Sequence, residues 1–164
     1  MAVRAVSRME IIESLIIIYS LHEKSKFEGL EIGCLQGEFD RYLLRKFDNL
    51  YMTSIDPFPQ LEDVHNNTTD YSDRFRLVLK RSDDAFFAGS KYDFIFIDGD
   101  HSYEQTKRDI VKYTPYVRPG GLMTGHNYDQ YIAGFHPGVK RAVDEIFGNR
   151  VNFVNSDVTW WVKI

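Results

Sequence analysis

Tyr92-Asp93-Phe94-Ile95-Phe96-Ile97-Asp98-Gly99-Asp100-His101-Ser102-Tyr103 is the stretch whose reading decides the fold. Phe94 to Ile97 form a near-continuous apolar run that reads as a strand buried on both faces. It runs straight into acid, glycine, acid and imidazole. A strand hydrophobic on both faces needs helices covering both, and in open parallel sheets ligands gather at the carboxyl ends of the strands. Asp98 stands at such an end. Directly after it, Ser102 to Gln105 matches a capping box and opens a helix.

Composition sets the frame around this stretch. The chain has 164 residues, 43% of them hydrophobic and 15% aromatic, which suits one domain spanning 1–164, with 1–26 forming an N-terminal helix packed on it. Twenty Lys and Arg against 24 Asp and Glu give a formal charge of −4, so no overall electrostatic pull toward nucleic acid or anionic membrane is expected. A single cysteine, Cys34, excludes an intrachain disulfide and argues against a Cys-based zinc cluster. Glu10 and Glu13 interrupt the N-terminal apolar run, no small-residue cleavage site follows it, and no stretch reaches the ~18 apolar residues of a membrane span. The expectation is a reduced, cytoplasmic protein.

Outward from the central strand, periodicity alternates between strand and helix. Met9 to about Lys24 is an amphipathic helix that Ser7 can cap, and Phe27 to Ile32 is a strand. Gly33 and Gly37 bracket the turn into a helix with Phe39, Leu43 and Phe47 on one face. Leu50 to Ile55 is a second strand ending at Asp56 before Pro57, and the polar segment from Pro57 to Tyr71 reads as a mobile loop, part of which could form a helical turn. Phe75 to Leu79 is a third strand, and Arg81 to Gly89 a short capped helix. Beyond the central strand, a helix with Ile110 and Val111 inward is limited by Pro115, and Arg118 to Gly121 is a turn. Leu122 to Thr124 leads to Gly125-His126-Asn127; after an aromatic segment, Val139, Ala142, Val143, Ile146 and Phe147 mark a helix with Gly148 past its end. Val151 to Val154 and Thr159 to Ile164 close the chain as a hairpin. The predicted fold is α/β: a Rossmann-like, doubly wound, mostly parallel seven-stranded sheet with an antiparallel C-terminal strand.

That pattern is shared by several nucleotide-binding classes, so the first turn must discriminate. A dinucleotide site wants G-x-G-x-x-G and a phosphate loop wants a terminal Gly-Lys-Ser/Thr; neither is present. Glu31 before Gly33 and Gly37 instead puts a carboxylate where pyrophosphate is repelled and an ammonium is held. With Asp56 placed to accept from ribose hydroxyls, this suits S-adenosyl-L-methionine. The plain alternative is that Glu31 and Gly33 only form a tight turn.

In order along the chain, EIGCLQGEF, SIDPF, FIFIDGDHSYEQTKRDI, VRPGGLMTGHNY and GVKRAVDEIFG resemble the class I S-adenosylmethionine-dependent O-methyltransferases, closest to the small-molecule and sugar type. The resemblance runs from about Glu28 to the C-terminus. It implies that Glu31, Gly33 and Gly37 cradle the methionine part, that Asp56 binds ribose, and that Ser82 or Asp83 lies near adenine. Ser82 as a helix cap and Asp83 as a dipole partner are the competing roles. Asp98 and His101 take the catalytic positions, His101 as the base, since imidazole accepts a proton near neutral pH. The resemblance offers Asp98, His126 and Asn127 as ligands for a divalent metal such as Mg²⁺ or Mn²⁺. Asn127 stands where related sequences often carry Asp, which leaves one anionic ligand fewer.

The acceptor is expected to be a hydroxylated small molecule, with a sugar as first guess, and Tyr128 and Tyr131 are its expected contacts. The same aromatic segment equally suits a packed lid or a contact in a homo-oligomer. Neither nucleic acid nor membrane is an expected partner. Two other functions compete: a non-catalytic protein that binds S-adenosylmethionine or S-adenosylhomocysteine, and a nicotinamide-dependent oxidoreductase, whose catalytic pair Tyr103-x-x-x-Lys107 mimics; without the glycine-rich loop that match reads as a helix-surface coincidence.

Overall fold

The computed structural model describes residues 6–89, 91–128 and 138–164. Helix α1 (Arg8–Ile18) starts at a full capping box, in which the Ser7 hydroxyl accepts from the Glu10 amide and the Glu10 carboxylate accepts from the Ser7 amide. β1 (Phe27–Ile32), α2 (Glu38–Lys46) and β2 (Leu50–Ile55) follow. Then come α3 (Leu61–Thr68), β3 (Phe75–Val78), β4 (Tyr92–Ile97), α4 (Tyr103–Tyr113) and β5 (Val117–Gly125). Helix α5 (Gly138–Phe147) and the strands β6 (Asn152–Val154) and β7 (Thr159–Lys163) complete the chain.

The seven strands form one sheet in the order β3-β2-β1-β4-β5-β7-β6. β1 to β5 are parallel, β7 runs antiparallel to β5, and β6 pairs antiparallel with β7. This is the Rossmann-like, doubly wound arrangement expected from the alternation of elements. β1 and β4 are neighbours whose onward connections leave in opposite directions across the sheet, so the switch point lies at their carboxyl ends.

β4 is buried along its whole length, and its alternation divides the core. Phe94 and Phe96 pack with Ile12, Leu15 and Ile16 of α1 and Phe39 and Leu43 of α2. Ile95 and Ile97 face Ile110 and Tyr113 of α4, Val143 of α5 and Trp160 of β7. Each such side chain taken from water contributes roughly 1.5–3 kcal/mol, so both helical layers are bound to the one strand that delivers Asp98. At its other end the buried Asp93 carboxylate pairs with Lys24 and Arg118 and accepts from the Glu28 amide. Among the described residues no helix is long and apolar enough to cross a membrane.

Several local expectations are corrected. The segment from Pro57 to Tyr71 holds α3 and a 3-10 turn, Thr69–Tyr71, rather than an irregular loop. Its polar residues find tertiary partners: Gln36 donates to Gln60 and Asp63, and Asn67 donates to the Gln36 carbonyl. The anticipated helix after β3 is only a 3-10 turn, Ser82–Asp84, without a side-chain cap. The first helix ends at Ile18, short of Lys24. Val111 is 59% exposed, because the buried face of α4 runs through Gln105, Thr106, Asp109, Ile110 and Tyr113. Arg118 to Gly121 lies within β5, where a register shift opposite Tyr92 and Phe94 and the positive φ of Gly120 (81°) mark a bulge.

Candidate functional site

A cleft of about 390 Å³ opens over the carboxyl ends of β1, β2 and β4, within the range of small-molecule sites. Its wall includes Ile32 and Gly33 after β1, Asp56 and Phe58 after β2, and Ser82 after β3. Asp98 and Gly99 after β4, and Gln105 and Asp109 on α4, complete it. Gly33 holds φ at 91°, and a Cβ there would lie 2.5 Å from the Asp98 carbonyl oxygen, so glycine alone lets the two strand ends approach. Asp56 shapes the second wall: its Oδ2 accepts from the Leu35 amide at 3.0 Å and its Oδ1 from the Phe58 amide at 2.8 Å. Each oxygen keeps a further lone pair for a ligand hydroxyl.

Glu31 and Gly37 lie behind this wall. Glu31 is 2% exposed, and its carboxylate faces Asp40, which is fully buried, and the Ser54 hydroxyl. Burial pushes both carboxyl groups up, Asp40 to about 6, with Glu31 raised further by its acidic neighbour. Gly37 supplies the left-handed residue before α2 and packs beside Val64 and Thr68. Asp83 stands beside the cleft rather than in its wall: its Oδ1 accepts from Gln105 Nε2 at 3.4 Å and its Oδ2 faces Arg108 at 3.6 Å.

Asp98 gathers the chemical groups. Its Oδ1 meets His101 Nε2 at 3.3 Å and His126 Nδ1 at 3.7 Å, while its Oδ2 faces Arg8 Nε at 3.4 Å. Burial would raise the Asp98 pKa, but the two imidazoles and Arg8 outweigh it and hold the carboxylate below its ordinary range. His126 also places Nε2 3.2 Å from Asp157 and Nδ1 2.9 Å from the Asn127 side-chain oxygen. Burial opposes its charge, yet hydrogen bonding and attraction to Asp98, with Asp157 adding to them, raise its pKa. Gly138, at the start of α5, lets that helix pack against the backbone of His101 to Tyr103, where a Cβ would collide.

This geometry bears directly on the expected metal. A metal-binding imidazole must offer a lone pair, whereas both nitrogens of His126 face oxygen acceptors. The Asp98 carboxylate already carries the Arg8 guanidinium, and the Asn127 oxygen is turned to His126. Among the described residues, no group of three His, Cys, Asp or Glu side chains is arranged to hold a metal ion. In this arrangement Asp98, His126 and Asn127 are engaged with one another, with Arg8 and with Asp157 rather than turned together toward a cation. Tyr128 is buried, its hydroxyl donating to Asp144 at 2.5 Å and its ring against Phe153. Tyr131 lies outside the described residues.

Sequence reasoning missed Arg8, Gln105 and Asp109. Arg8 carries no local signal, since only the docking of α1 brings it to Asp98. Gln105 and Asp109 did leave one: two polar residues four apart on the face that also carries Ile110 and Tyr113.

A doubly wound, mostly parallel sheet with a cleft at its switch point defines a domain of the Rossmann-like class. The methyltransferase-domain family matches residues 30–128, and the chain belongs to that family. A curated relative, an uncharacterized protein of Acanthamoeba polyphaga mimivirus, is 29% identical over 136 residues, covering 76% of this chain. The match spans 61% of that relative's length. Among solved structures, a Staphylococcus aureus protein provisionally named a caffeoyl-CoA O-methyltransferase superposes with a TM-score of 0.74 at 23% identity, covering 99% of this chain and 85% of that one. The N-methyltransferase NodS of Bradyrhizobium japonicum, in complex with S-adenosyl-L-homocysteine, gives 0.66 at 18% identity, covering 96% and 87%. At these identities the likeness establishes the fold.

Proposed function

We propose that this chain is an S-adenosylmethionine-dependent O-methyltransferase acting on a hydroxyl of a small molecule, a sugar being the first acceptor to test. The observation that carries the reading is the shared cleft: Gly33 and Asp56 line one part of it, and Asp98, paired with His101, lines another. The family, and a structural neighbour that binds S-adenosylhomocysteine, support the choice of cofactor. The O-methyltransferase resemblance of the sequence supports oxygen as the acceptor atom.

When bound, S-adenosylmethionine supplies an electrophilic methyl carbon. The chain's residues must then hold the cofactor, align the acceptor and take its proton. Asp56 suits the ribose hydroxyls, and the glycine backbone at Gly33 permits close approach at the β1 end. His101 is the better base of the two histidines, because His126 is held between Asp98 and Asp157 in a setting that favours its charged form. His101 Nε2–H donates to Asp98, which orients the ring. Asp98 then stabilises the imidazolium that forms.

Calorimetry with S-adenosylhomocysteine tests the cofactor site, and incubation with labelled donor and a panel of sugars and catechols tests transfer. We expect binding by the parent, and in His101→Ala retained binding with transfer reduced about 10²–10⁴-fold. No detectable binding by the parent would overturn the reading. Tight binding with transfer to none of the acceptors would favour a non-catalytic cofactor-binding protein.

A further inference from the structure

The opposite end of the sheet holds a second cavity, of about 460 Å³, that the methyl transfer does not use. It lies over the amino ends of β1 to β4, whereas the cleft that contains Gly33 and Asp98 lies over the carboxyl ends. Strand alternation puts Glu28, Tyr51, Thr53 and Arg76 on the sheet face that further along carries Leu30, Ile32, Ile55 and Val78. The register sets Glu28 beside Tyr51, and Thr53 beside Arg76. A parallel sheet covered by helices is apolar on both faces, and this corner departs from that rule. The link from β3 to β4 gives Phe87 to the core but, among the described residues, only the Ser82–Asp84 turn as regular structure. The starts of these strands therefore stay open and polar.

Charge there is unevenly matched. Glu28 accepts from Arg118 Nη2 at 2.6 Å and lies 3.1 Å from Lys26 Nζ, and Asp93 is paired with Lys24 and Arg118. Both carboxylates are thereby matched. Arg76 and Lys91 line the cavity without a carboxylate partner among the described residues; Arg76 is exposed, and the Lys91 ammonium rests on the Pro115 carbonyl. Thr53 and Tyr92 add hydroxyls to the same wall. Burial raises the Tyr92 pKa, with Thr53 and Arg76 acting in the other direction, so its hydroxyl stays a donor. A guanidinium, an ammonium and two hydroxyls around one cavity match the several oxygens and the double charge of a phosphomonoester. The Tyr51 ring, also in the wall, offers a flat surface to an organic part.

We propose that this cavity binds a small molecule through a phosphomonoester group, with Arg76 and Lys91 as the cationic contacts. The site does not rest on the methyl-transfer reading. The net charge of −4 and the gathering of these two cations at one cavity favour a small ligand over a polyanion.

Calorimetry on the full chain compares glucose 6-phosphate, inorganic phosphate and glucose. The sugar phosphate is expected to bind with a Kd below about 1 mM, and glucose is expected not to bind. Tighter binding of the sugar phosphate than of inorganic phosphate supports a phosphorylated metabolite as the ligand, and equal binding supports the phosphate group alone. Arg76→Gln and Lys91→Gln are each expected to weaken the sugar phosphate at least about 10-fold, with an unchanged urea midpoint for Arg76→Gln. Arg45→Gln removes an exposed cation from α2, on the other face of the sheet, and is expected to leave binding unchanged. In a ¹⁵N spectrum the sugar phosphate is expected to shift the amides of Thr53, Arg76 and Tyr92. The proposal is overturned by no binding of either phosphate compound at about 10 mM, by equal binding of glucose, or by equal losses in Arg45→Gln and Arg76→Gln. Shifts confined to Gly33, Asp56 and Gly99 would place the phosphate in the other cleft and overturn it as well.

Discussion

Replacing Asp40 by Asn isolates the energetic cost of the acidic pair beneath the cleft. Asp40 is fully buried, Glu31 faces it at 2% exposure, and the Ser54 hydroxyl lies 2.8 and 2.9 Å from the two Asp40 oxygens. Burial lifts the Asp40 pKa from 3.8 to about 6. Below about pH 3 the group is protonated in both folded and unfolded chains and adds no pH-dependent penalty. As pH rises toward the folded value, the unfolded chain releases its proton first, so stability falls. At 1.36 kcal/mol per unit, the rise from 3.8 to about 6 amounts to about 3 kcal/mol, fully expressed by about pH 8. Asn keeps the shape and one acceptor for Ser54 but does not titrate. Urea unfolding of parent and Asp40→Asn from about pH 3 to pH 8 should therefore show the parent losing about 3 kcal/mol more than the variant. The contributions of Asp98 and His126 cancel in the difference, whereas Glu31, whose pKa Asp40 helps to raise, relaxes in the variant and adds to it. Parallel curves across that range would refute the buried-pair account.

Two further outcomes follow from the geometry. Gly33→Ala forces a side chain into a φ of 91° against the Asp98 carbonyl, and should lower stability by at least about 2 kcal/mol and abolish S-adenosylhomocysteine binding. Thermal melting with calorimetry checks this, and a variant that keeps both properties would show that the strand ends need not approach so closely. Ser7→Ala removes the cap of α1 and should cost about 1 kcal/mol in urea unfolding; no measurable loss would mean that α1 is held by packing alone.

The clustering around Asp98 gives α1 a part beyond its apolar face. Ile12, Leu15 and Ile16 fasten the helix against Phe94 and Phe96, and its first residue, Arg8, then reaches the carboxylate at the end of the same strand. The docking of an N-terminal helix and the charge state of the candidate site are thus linked through β4. Asp98 stays ionised although largely buried because two imidazoles and one guanidinium surround it.

The amino-acid sequence by itself determined the alternation of strands and helices, the burial of Phe94 to Ile97 on both faces, and the acids following β2 and β4. These are written in local periodicity: a period of two or an unbroken apolar run for strands, and three-and-four spacing for helices. α3 escaped that reading because its stability comes from Gln36, Arg41 and the buried Val64 rather than from its own polar composition. Only the tertiary structure decided that Glu31 turns from the cleft to Asp40, that His126 is flanked by two carboxylates, and that Arg8 and Asp109 belong to the site. In each case the partner comes from a distant element or another turn of a helix. A side chain's charge and hydrogen bonding depend on which neighbours folding brings within a few ångströms, and local sequence does not specify that distance.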